Sequence, residues 1–189
     1  MISAILLAAG ESKRMNGENK LLKKIKNKAL IKYSVENILE SSIDELIIIT
    51  GYQDKILKEI IGKDKKIKFV FNEKFKTGMA SSIKIGLGSL SDNTKAFFIS
   101  LGDMPLISKN TYDQLISNIE RKEIIIPTFK KQQGNPVLFS VSMKDKIMNV
   151  KNDIGAKEIL KMNKDKILNL EVNDQGILKD YNTTNNFID

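Results

Sequence analysis

The sequence contains no cysteine and no histidine among its 189 residues. The lack of cysteine excludes disulfide bonds, thiolate nucleophiles and cysteine-ligated zinc, and the lack of histidine excludes imidazole as a general acid or base. Aromatic residues make up only 6% of the chain. A surface that stacks nucleic-acid bases is therefore not expected.

Long apolar runs are also missing. No stretch approaches the ~20 residues of a membrane span, and the apolar N-terminus is too short, and lacks the basic flank, for a signal peptide. We therefore expect a cytoplasmic protein with no membrane partner. Neither a repeat nor a linker interrupts the chain, so residues 1–189 are expected to form one domain.

Basic residues outnumber acidic ones, 31 to 23, which gives a net charge of +8. Arginine occurs only at positions 14 and 121, so the excess is lysine, in a chain that is also rich in isoleucine and asparagine. No tract of five or more basic residues occurs. We attribute the charge to this compositional bias and expect no nucleic-acid partner.

Apolar segments alternate between strand-like and helix-like patterns along the chain. Apolar runs predict strands at 2–7, 46–50, 67–71, 96–101 and 124–126. Helical spacing predicts helices at 28–41, 53–61, 80–90 and 108–121, the last opened by Ser108 as its N-cap. This alternation predicts an α/β fold with a mostly parallel central sheet and helices on both faces.

The first predicted strand runs into a loop of small residues that is followed by two cations. The residues are Leu7, Ala8, Ala9 and Gly10, then Arg14 and Lys20. Small side chains let a ligand approach backbone N–H groups, and these cations hold phosphate oxygens well. The layout suits a nucleoside triphosphate at the carboxyl end of a strand. The alternative is an ordinary loop with solvated charges.

Two further segments carry candidate site residues. Asp103 follows the strand at 96–101, and Mg²⁺ takes one or two carboxylates plus substrate phosphates; alternatively, Asp103 caps the next turn. Gly78 precedes a helix whose first turn contains Ser81 and Ser82. N–H groups at a helix start suit an anion or a base carbonyl, whereas the alternative is simple N-capping by either serine.

Together these segments resemble the signatures of the molybdenum-cofactor-type small NTP transferases. The first loop is similar to L-A-A-G-x-S-x-R-M-G-x-x-K with Asn16 as an extra residue, 101–105 matches L-G-D-M-P, and 78–87 is similar to G-M-x-x-S-[LIV]-x-x-G-L, with Asn72 upstream. The resemblance implies a three-layer, Rossmann-like nucleotide-diphospho-sugar transferase fold.

Three later segments resemble family motifs less closely. Asn135 replaces a histidine in the G-H-P-V-L-F motif, on the side that faces the second substrate in the family, and 152–157 is similar to G-D-x-G-A-[RK]. Near the carboxyl end, Asn182 stands where the family has a second metal-binding aspartate. An asparagine carbonyl oxygen can ligate Mg²⁺ but carries no charge.

The resemblance implies transfer of a nucleoside monophosphate from an NTP to a phosphate-bearing acceptor, with release of pyrophosphate. An ionised phosphate acceptor needs no histidine or cysteine base. The implied catalytic residues are Arg14, Lys20 and Asp103, and the implied Mg²⁺ ligands are Asp103 and Asn182. The implied nucleotide-binding residues are Leu7, Ala8, Ala9, Gly10, Asn72, Gly78 and Ser82.

The nucleotide and acceptor follow from the same resemblance. Ala9 stands where guanylyl-transferring relatives tend to have glycine, which favours CTP, and the chain looks like a molybdenum cofactor cytidylyltransferase that acts on molybdopterin and serves a molybdoenzyme partner. One alternative is an NTP transferase for a sugar or polyol phosphate. Another is a non-catalytic accessory protein that binds nucleotide or pterin.

Overall fold

A computed structural model describes residues 1–12, 18–149 and 156–181, without the side chains of 156–158. The strands within these ranges are β1 (Ile2–Ala8), β2 (Lys24–Ile25), β3 (Lys28–Ala29), β4 (Glu45–Thr50), β5 (Ile67–Phe71), β6 (Ala96–Leu101), β7 (Ile124–Phe129), β8 (Gln132–Gln133), β9 (Val137–Ser140) and β10 (Ile167–Glu171). The helices are α1 (Leu30–Leu39), α2 (Asp54–Ile61), α3 (Met79–Gly88), α4 (Lys109–Ile116), α5 (Lys144–Met148) and α6 (Ala156–Met162).

One sheet forms the middle layer, in the strand order β10-β7-β9-β6-β1-β4-β5, with β8 paired to β7. The pairs β1–β4, β1–β6, β4–β5 and β7–β10 are parallel. Strand β9 runs antiparallel to both of its neighbours, β6 and β7. The mostly parallel sheet predicted from the sequence is therefore confirmed, with β9 reversed inside it and the short β8 antiparallel to β7.

Alternate residues of β1 enter two separate hydrophobic cores. Leu6 packs in a core with residues of α1, α2 and α4, whereas Ile5 packs in a second core with residues of α3, α5 and α6. Successive side chains of a strand point to opposite faces, so helices cover both faces of the sheet. This explains why most residues of β1 and β4 are apolar.

Two predicted helices are shorter than expected. Helix α1 starts at Leu30 because Lys28 and Ala29 pair with Lys24 and Ile25 in a small antiparallel ladder. Helix α4 ends at Ile116, and a separate 3₁₀ turn covers Ile119–Arg121. None of the helices in the described ranges is long and apolar enough to cross a membrane.

The N-cap of α4 lies at the predicted residue, but a different side chain accepts the capping hydrogen bond. Ser108 is the N-cap residue, yet its side chain makes no capping hydrogen bond. Instead, the Asp174 carboxylate accepts from the Ser108 N–H at 2.9 Å and from the Thr111 hydroxyl at 2.6 Å. A carboxylate at a helix start is favoured by the helix dipole, and it ties the later part of the chain to α4.

Candidate functional site

A cavity of about 320 Å³ lies where β1 and β6 end and α3 begins. Its lining joins segments that are far apart in the sequence. The lining residues are Leu7, Ala8, Ala9, Gly10, Ser12, Lys20, Leu21, Phe75, Gly78, Met79, Ser82, Leu101 and Asp103. Ligands of parallel α/β sheets bind at this edge of the sheet.

The loop after β1 leaves space above its backbone. The Ala9 carbonyl accepts from the Tyr52 N–H at 3.1 Å, which fixes this loop to the end of the neighbouring strand β4. A Cβ atom added at Gly10 would meet no atom of the described residues within 4 Å. Gly10 therefore has no packing partner that requires a glycine, and its exposed backbone borders the open cavity.

The far end of the same loop is held by two side chains. Ser12 accepts a hydrogen bond from the Lys20 N–H at 3.0 Å, and Asn19 accepts one from the Leu21 N–H at 3.1 Å. Residues 20–22 form a single 3₁₀ turn with Asn19 as its N-cap. The first N–H groups of this short turn thus have side-chain partners.

Two residues implied as catalytic contact each other in the lining of the cavity. The Lys20 ammonium donates to an Asp103 carboxylate oxygen and forms an ion pair with it. The Lys20 and Asp103 side chains are only 18% and 16% exposed. A charge-assisted pair of this kind is stronger than a fully solvated one. The structure therefore places both groups on one wall of the cavity.

Backbone contacts fix the segment that carries Asp103. The Gly102 N–H donates to the Leu7 carbonyl at 3.0 Å, and the Ser34 hydroxyl donates to the Gly102 carbonyl at 3.1 Å. The Tyr181 N–H donates to the Asp103 carbonyl at 2.9 Å. Within the described ranges no backbone N–H of the following turn donates to the Asp103 carboxylate, so the turn-capping alternative has no supporting hydrogen bond.

The start of α3 is organised by Asn72 rather than by capping serines. The N-cap is Gly78, at φ 112°, a conformation that suits glycine. The fully buried Asn72 donates to the hydroxyls of Ser81 and Ser82 at 2.9 Å each, while its carbonyl accepts from the Lys74 N–H at 2.9 Å. N-capping by either serine is therefore wrong.

Asn72 and Ser82 hold different positions relative to the cavity. Ser82 lines it, whereas Asn72 is absent from the lining formed by the described residues. Asn72 instead bridges the end of β5 to the first turn of α3. Its contact with a nucleotide, implied by the resemblance, stays a prediction, and what the structure describes is a supporting contact to Ser82.

The donor set fits a divalent cation that is shared with a substrate. Asp103 places a carboxylate on the cavity wall, and no group of three or more acidic or histidine side chains occurs in the described ranges. Mg²⁺ commonly takes one or two protein carboxylates and completes its shell with phosphate oxygens and water. A single carboxylate beside an open cavity meets that need.

Several predicted residues lie outside the described ranges. These are Arg14 in the first loop, residues 152–155 of the G-D-x-G-A-like segment, and Asn182 near the carboxyl end. Tyr181, which precedes Asn182, is described and contacts the Asp103 backbone.

The predicted acceptor-side motif contributes no cavity-lining residue within the described ranges. The Asn135 N–H donates to the Ile177 carbonyl at 3.0 Å, and a Cβ atom at Gly134 would clash with that carbonyl group. Residues 137–140 form β9, between β6 and β7. The motif therefore holds the segment around Ile177, which leads to Tyr181.

Sequence reasoning missed several lining residues. These are Ser12, Leu21, Phe75, Met79 and Leu101. Ser12 was visible as part of the first motif, but its hydrogen bond to Lys20 depends on how the loop folds. Phe75 and Met79 carry no chemical signal of a site, since apolar side chains of this kind usually fill cores.

Comparison with known proteins gives a family match and several structures of the same fold. A family model described as "MobA-like NTP transferase domain" matches residues 4–167. Bifunctional protein GlmU of Staphylococcus saprophyticus is 27% identical over 143 residues, which cover 75% of this chain and 31% of that protein. The chain thus spans about a third of the length of this curated relative.

Solved structures share the fold at low identity. Rv0371c of Mycobacterium tuberculosis aligns with a TM-score of 0.87 and 21% identity, over 98% of this chain and 95% of that one. Its manganese complex aligns at 0.76 and 19%, over 90% and 88%. 4-Diphosphocytidyl-2C-methyl-D-erythritol synthase of Anaerococcus prevotii aligns at 0.77 and 17%, over 98% and 92%.

Proposed function

Because the chain belongs to the MobA-like NTP transferase domain family, we propose that it transfers a nucleoside monophosphate from an NTP to a phosphate-bearing acceptor. An acceptor phosphate oxygen attacks the α-phosphorus and forms a new P–O bond. The bond from that phosphorus to the oxygen bridging the α- and β-phosphates breaks, and pyrophosphate leaves.

The observation that carries the proposal is the Lys20–Asp103 pair on the cavity wall. It brings together a cation for triphosphate oxygens and a carboxylate for a divalent cation, at the sheet edge where ligands bind. The open space above Gly10 leaves room for phosphates near the loop backbone. Such chemistry depends mainly on positioning and on neutralisation of charge.

Each residue has a distinct role in this proposal. Lys20 binds the triphosphate, with Arg14 contributing a second cation from the same loop. Gly78 and Ser82 contact the base and ribose, and Asn72 holds Ser82 in place. No side chain has to remove a proton, because a phosphate monoester with a second pKa near 6 is already largely ionised at neutral pH.

Asp103 and Asn182 would hold a divalent metal ion, for which Mg²⁺ is proposed. When bound, such an ion supplies positive charge to the oxygens of the transferred phosphate. The Tyr181–Asp103 backbone hydrogen bond supports Asn182 as the second ligand, because Asn182 follows Tyr181 in the chain. The manganese complex of the structural neighbour Rv0371c supports use of a divalent ion.

For the finer assignment we propose CTP as donor and the molybdopterin cofactor as acceptor. Ala9 is a lining residue of the cavity, and its methyl group would crowd a purine more than a pyrimidine. The motifs of the first loop and of residues 101–105 support the molybdopterin acceptor. Delivery of the product to a molybdoenzyme partner belongs to the same proposal.

A polyol or sugar phosphate is the second candidate acceptor. The structural neighbour from Anaerococcus prevotii is named for a product in which a diphosphocytidyl group is joined to a methylated tetritol. That name supports cytidylyl transfer with a different acceptor on the same fold.

The test is a pyrophosphate-release screen of four NTPs against molybdopterin and a set of sugar and polyol phosphates, with Mg²⁺. We expect release with CTP and molybdopterin, and its loss in Asp103→Asn but not in the exposed control Asp92→Asn. Release only with a sugar or polyol phosphate would select the second candidate. Nucleotide binding without release for any pair would favour the accessory-protein alternative.

A further inference from the structure

We propose that Ser12 is a positioning residue that sets the location of Lys20 in the cavity. This inference rests on the proposed function, because it assigns Ser12 a task in nucleotide binding. Ser12 lines the cavity, but neither its hydroxyl nor its backbone needs to contact the substrate for this task.

The hydrogen bond between Ser12 and Lys20 closes a loop. Ser12 Oγ accepts from the Lys20 N–H at 3.0 Å, and the residues between them are 13–19. The cost of closing a flexible loop depends only weakly on its length. We call this hydrogen bond the clamp, and we infer that it fixes the Lys20 backbone relative to the end of the loop after β1.

Contacts of the Lys20 side chain connect the Ser12–Lys20 hydrogen bond to the central sheet. The Lys20 backbone is fixed by Ser12, and its ammonium contacts Asp103 at the end of β6. The backbone carbonyl of Asp103 in turn accepts a hydrogen bond from the Tyr181 N–H. A relay of contacts thus runs from the loop after β1 to the neighbouring strand, and Ser12 is its first member.

The backbone of Ser12 indicates that the position is under constraint. Its φ of 54° lies in the left-handed region, where side chains other than glycine, asparagine and aspartate are uncommon. Glycine would adopt this φ without the steric strain that the Cβ atom of serine causes. The hydroxyl is what a serine offers at this position and a glycine does not.

Substitutions at position 12 separate the hydroxyl from the backbone. Ser12→Ala removes the acceptor and keeps the Cβ, Ser12→Gly removes both, and Ser12→Asn supplies an amide oxygen in a residue that tolerates this conformation. If the hydrogen bond matters, both alanine and glycine are harmful, and asparagine restores function in part. If only backbone strain matters, glycine equals or exceeds serine.

The first measurement is independent of nucleotide. The rate of acetylation of Lys20 by acetic anhydride, followed by peptide mass spectrometry, is expected to rise at least threefold in Ser12→Ala and Ser12→Gly. Asp103→Asn should raise the same rate, and the exposed control Ser117→Ala should not. Unchanged labelling in Ser12→Ala and Ser12→Gly would overturn the clamp, whether or not the protein is a nucleotidyltransferase.

The second measurement is calorimetric binding of CTP whose α,β-bridging oxygen is replaced by methylene, with matching analogues of the other three NTPs. Ser12→Ala should weaken binding about fivefold. This loss corresponds to about 1 kcal/mol, the usual net contribution of one hydrogen bond. In a Lys20→Met background the same substitution should have no further effect. An additional fivefold loss there would show that Ser12 acts on the nucleotide directly and would overturn the positioning role.

The two measurements distinguish failure of the proposed function from failure of the positioning role of Ser12. If no analogue binds wild-type protein, the proposed function is wrong, while the labelling experiment still decides whether Ser12 fixes Lys20.

Discussion

The ammonium group of Lys20 contacts a carboxylate oxygen of Asp103, although the two residues are 83 positions apart in the sequence. The Asp103 carboxylate neutralises the charge with which Lys20 would bind the triphosphate. The Lys20 ammonium likewise neutralises the charge with which Asp103 would bind a metal ion. The pair must therefore separate, or share its charges, when a metal–nucleotide complex enters the cavity.

Lys20→Met should affect metal and nucleotide in opposite directions. Without Lys20, the Asp103 carboxylate keeps its full charge, so Mn²⁺ alone should bind about fivefold more tightly, on the order of 1 kcal/mol for a partly exposed pair. Binding of NTP analogues should weaken. Electron paramagnetic resonance of free Mn²⁺ and calorimetry measure the two affinities, with Lys63→Met as control. Equal Mn²⁺ affinity in wild type and Lys20→Met would contradict this competition.

Asp103→Asn should reduce nucleotidyl transfer by roughly 100-fold or more while the thermal unfolding transition stays close to that of wild type. The amide keeps the shape of the side chain but loses the charge that the metal ion requires. Pyrophosphate release and circular dichroism provide the readouts. Near-normal turnover with Mg²⁺ would place the metal site elsewhere.

Ala9→Gly tests the base preference. We expect wild-type protein to prefer CTP over GTP by at least tenfold in kcat/KM, which needs only ~1.4 kcal/mol. Removal of the methyl group should narrow that ratio, because a purine then has more room. Steady-state competition between the two nucleotides with one acceptor measures it. A wild-type preference for GTP would exclude cytidylyl transfer and leave nucleotidyl transfer untouched.

Gly86→Ala and Gly88→Ala should change stability in opposite directions. A Cβ at Gly86 would lie 2.5 Å from Ile5 Cγ2, so α3 has to move away from β1, at a cost of about 1–3 kcal/mol. A Cβ at Gly88 meets nothing within 4 Å in the described part of the chain, so alanine should stabilise the helix by up to ~1 kcal/mol. Urea unfolding compares them, and equal midpoints for the two variants would contradict the close packing.

Glu171 makes part of the stability pH-dependent. Donation by the Thr128 hydroxyl, and then by the N–H groups of Lys130 and Lys131, lowers the pKa of Glu171. A lowered pKa stabilises the fold above the usual value near 4.5, and this contribution disappears as pH falls through the lower native value. Glu171→Gln should therefore be less stable than wild type at pH 7, and the difference in stability should shrink as the pH falls through the lowered native pKa of Glu171. A gap independent of pH would show that the charge has no role.

The buried parallel strands could be predicted because both of their faces are covered, which makes most residues of β1, β4 and β6 apolar. Strands β9 and β10 could not. Strand β9 follows a loop that was interpreted only as a substrate motif, and its antiparallel insertion is a matter of tertiary pairing. Strand β10 alternates apolar and exposed residues at the sheet edge, and such a short pattern is ambiguous.

The candidate site was predictable to the extent that its residues follow strands. Lys20, Gly78, Ser82 and Asp103 all line one cavity, as their places after the parallel strands β1, β5 and β6 suggest. The hydrogen bonds that orient them were not predictable. Whether Asn72 contacts a ligand or a neighbouring serine depends on side-chain direction, which composition and spacing do not fix.

The hydrogen bond from Tyr181 to the Asp103 carbonyl has a consequence for biosynthesis. Strands β1, β4 and β6 and the loops after them leave the ribosome within the first 110 residues or so, and domains begin to fold as they emerge. The Asp103 carbonyl acquires the Tyr181 N–H only after residues 104–181 have also been made. A nascent chain therefore makes β1, β4 and β6 before the backbone around Asp103 has all of its hydrogen bonds, so we expect nucleotide binding only after Tyr181 has been synthesised.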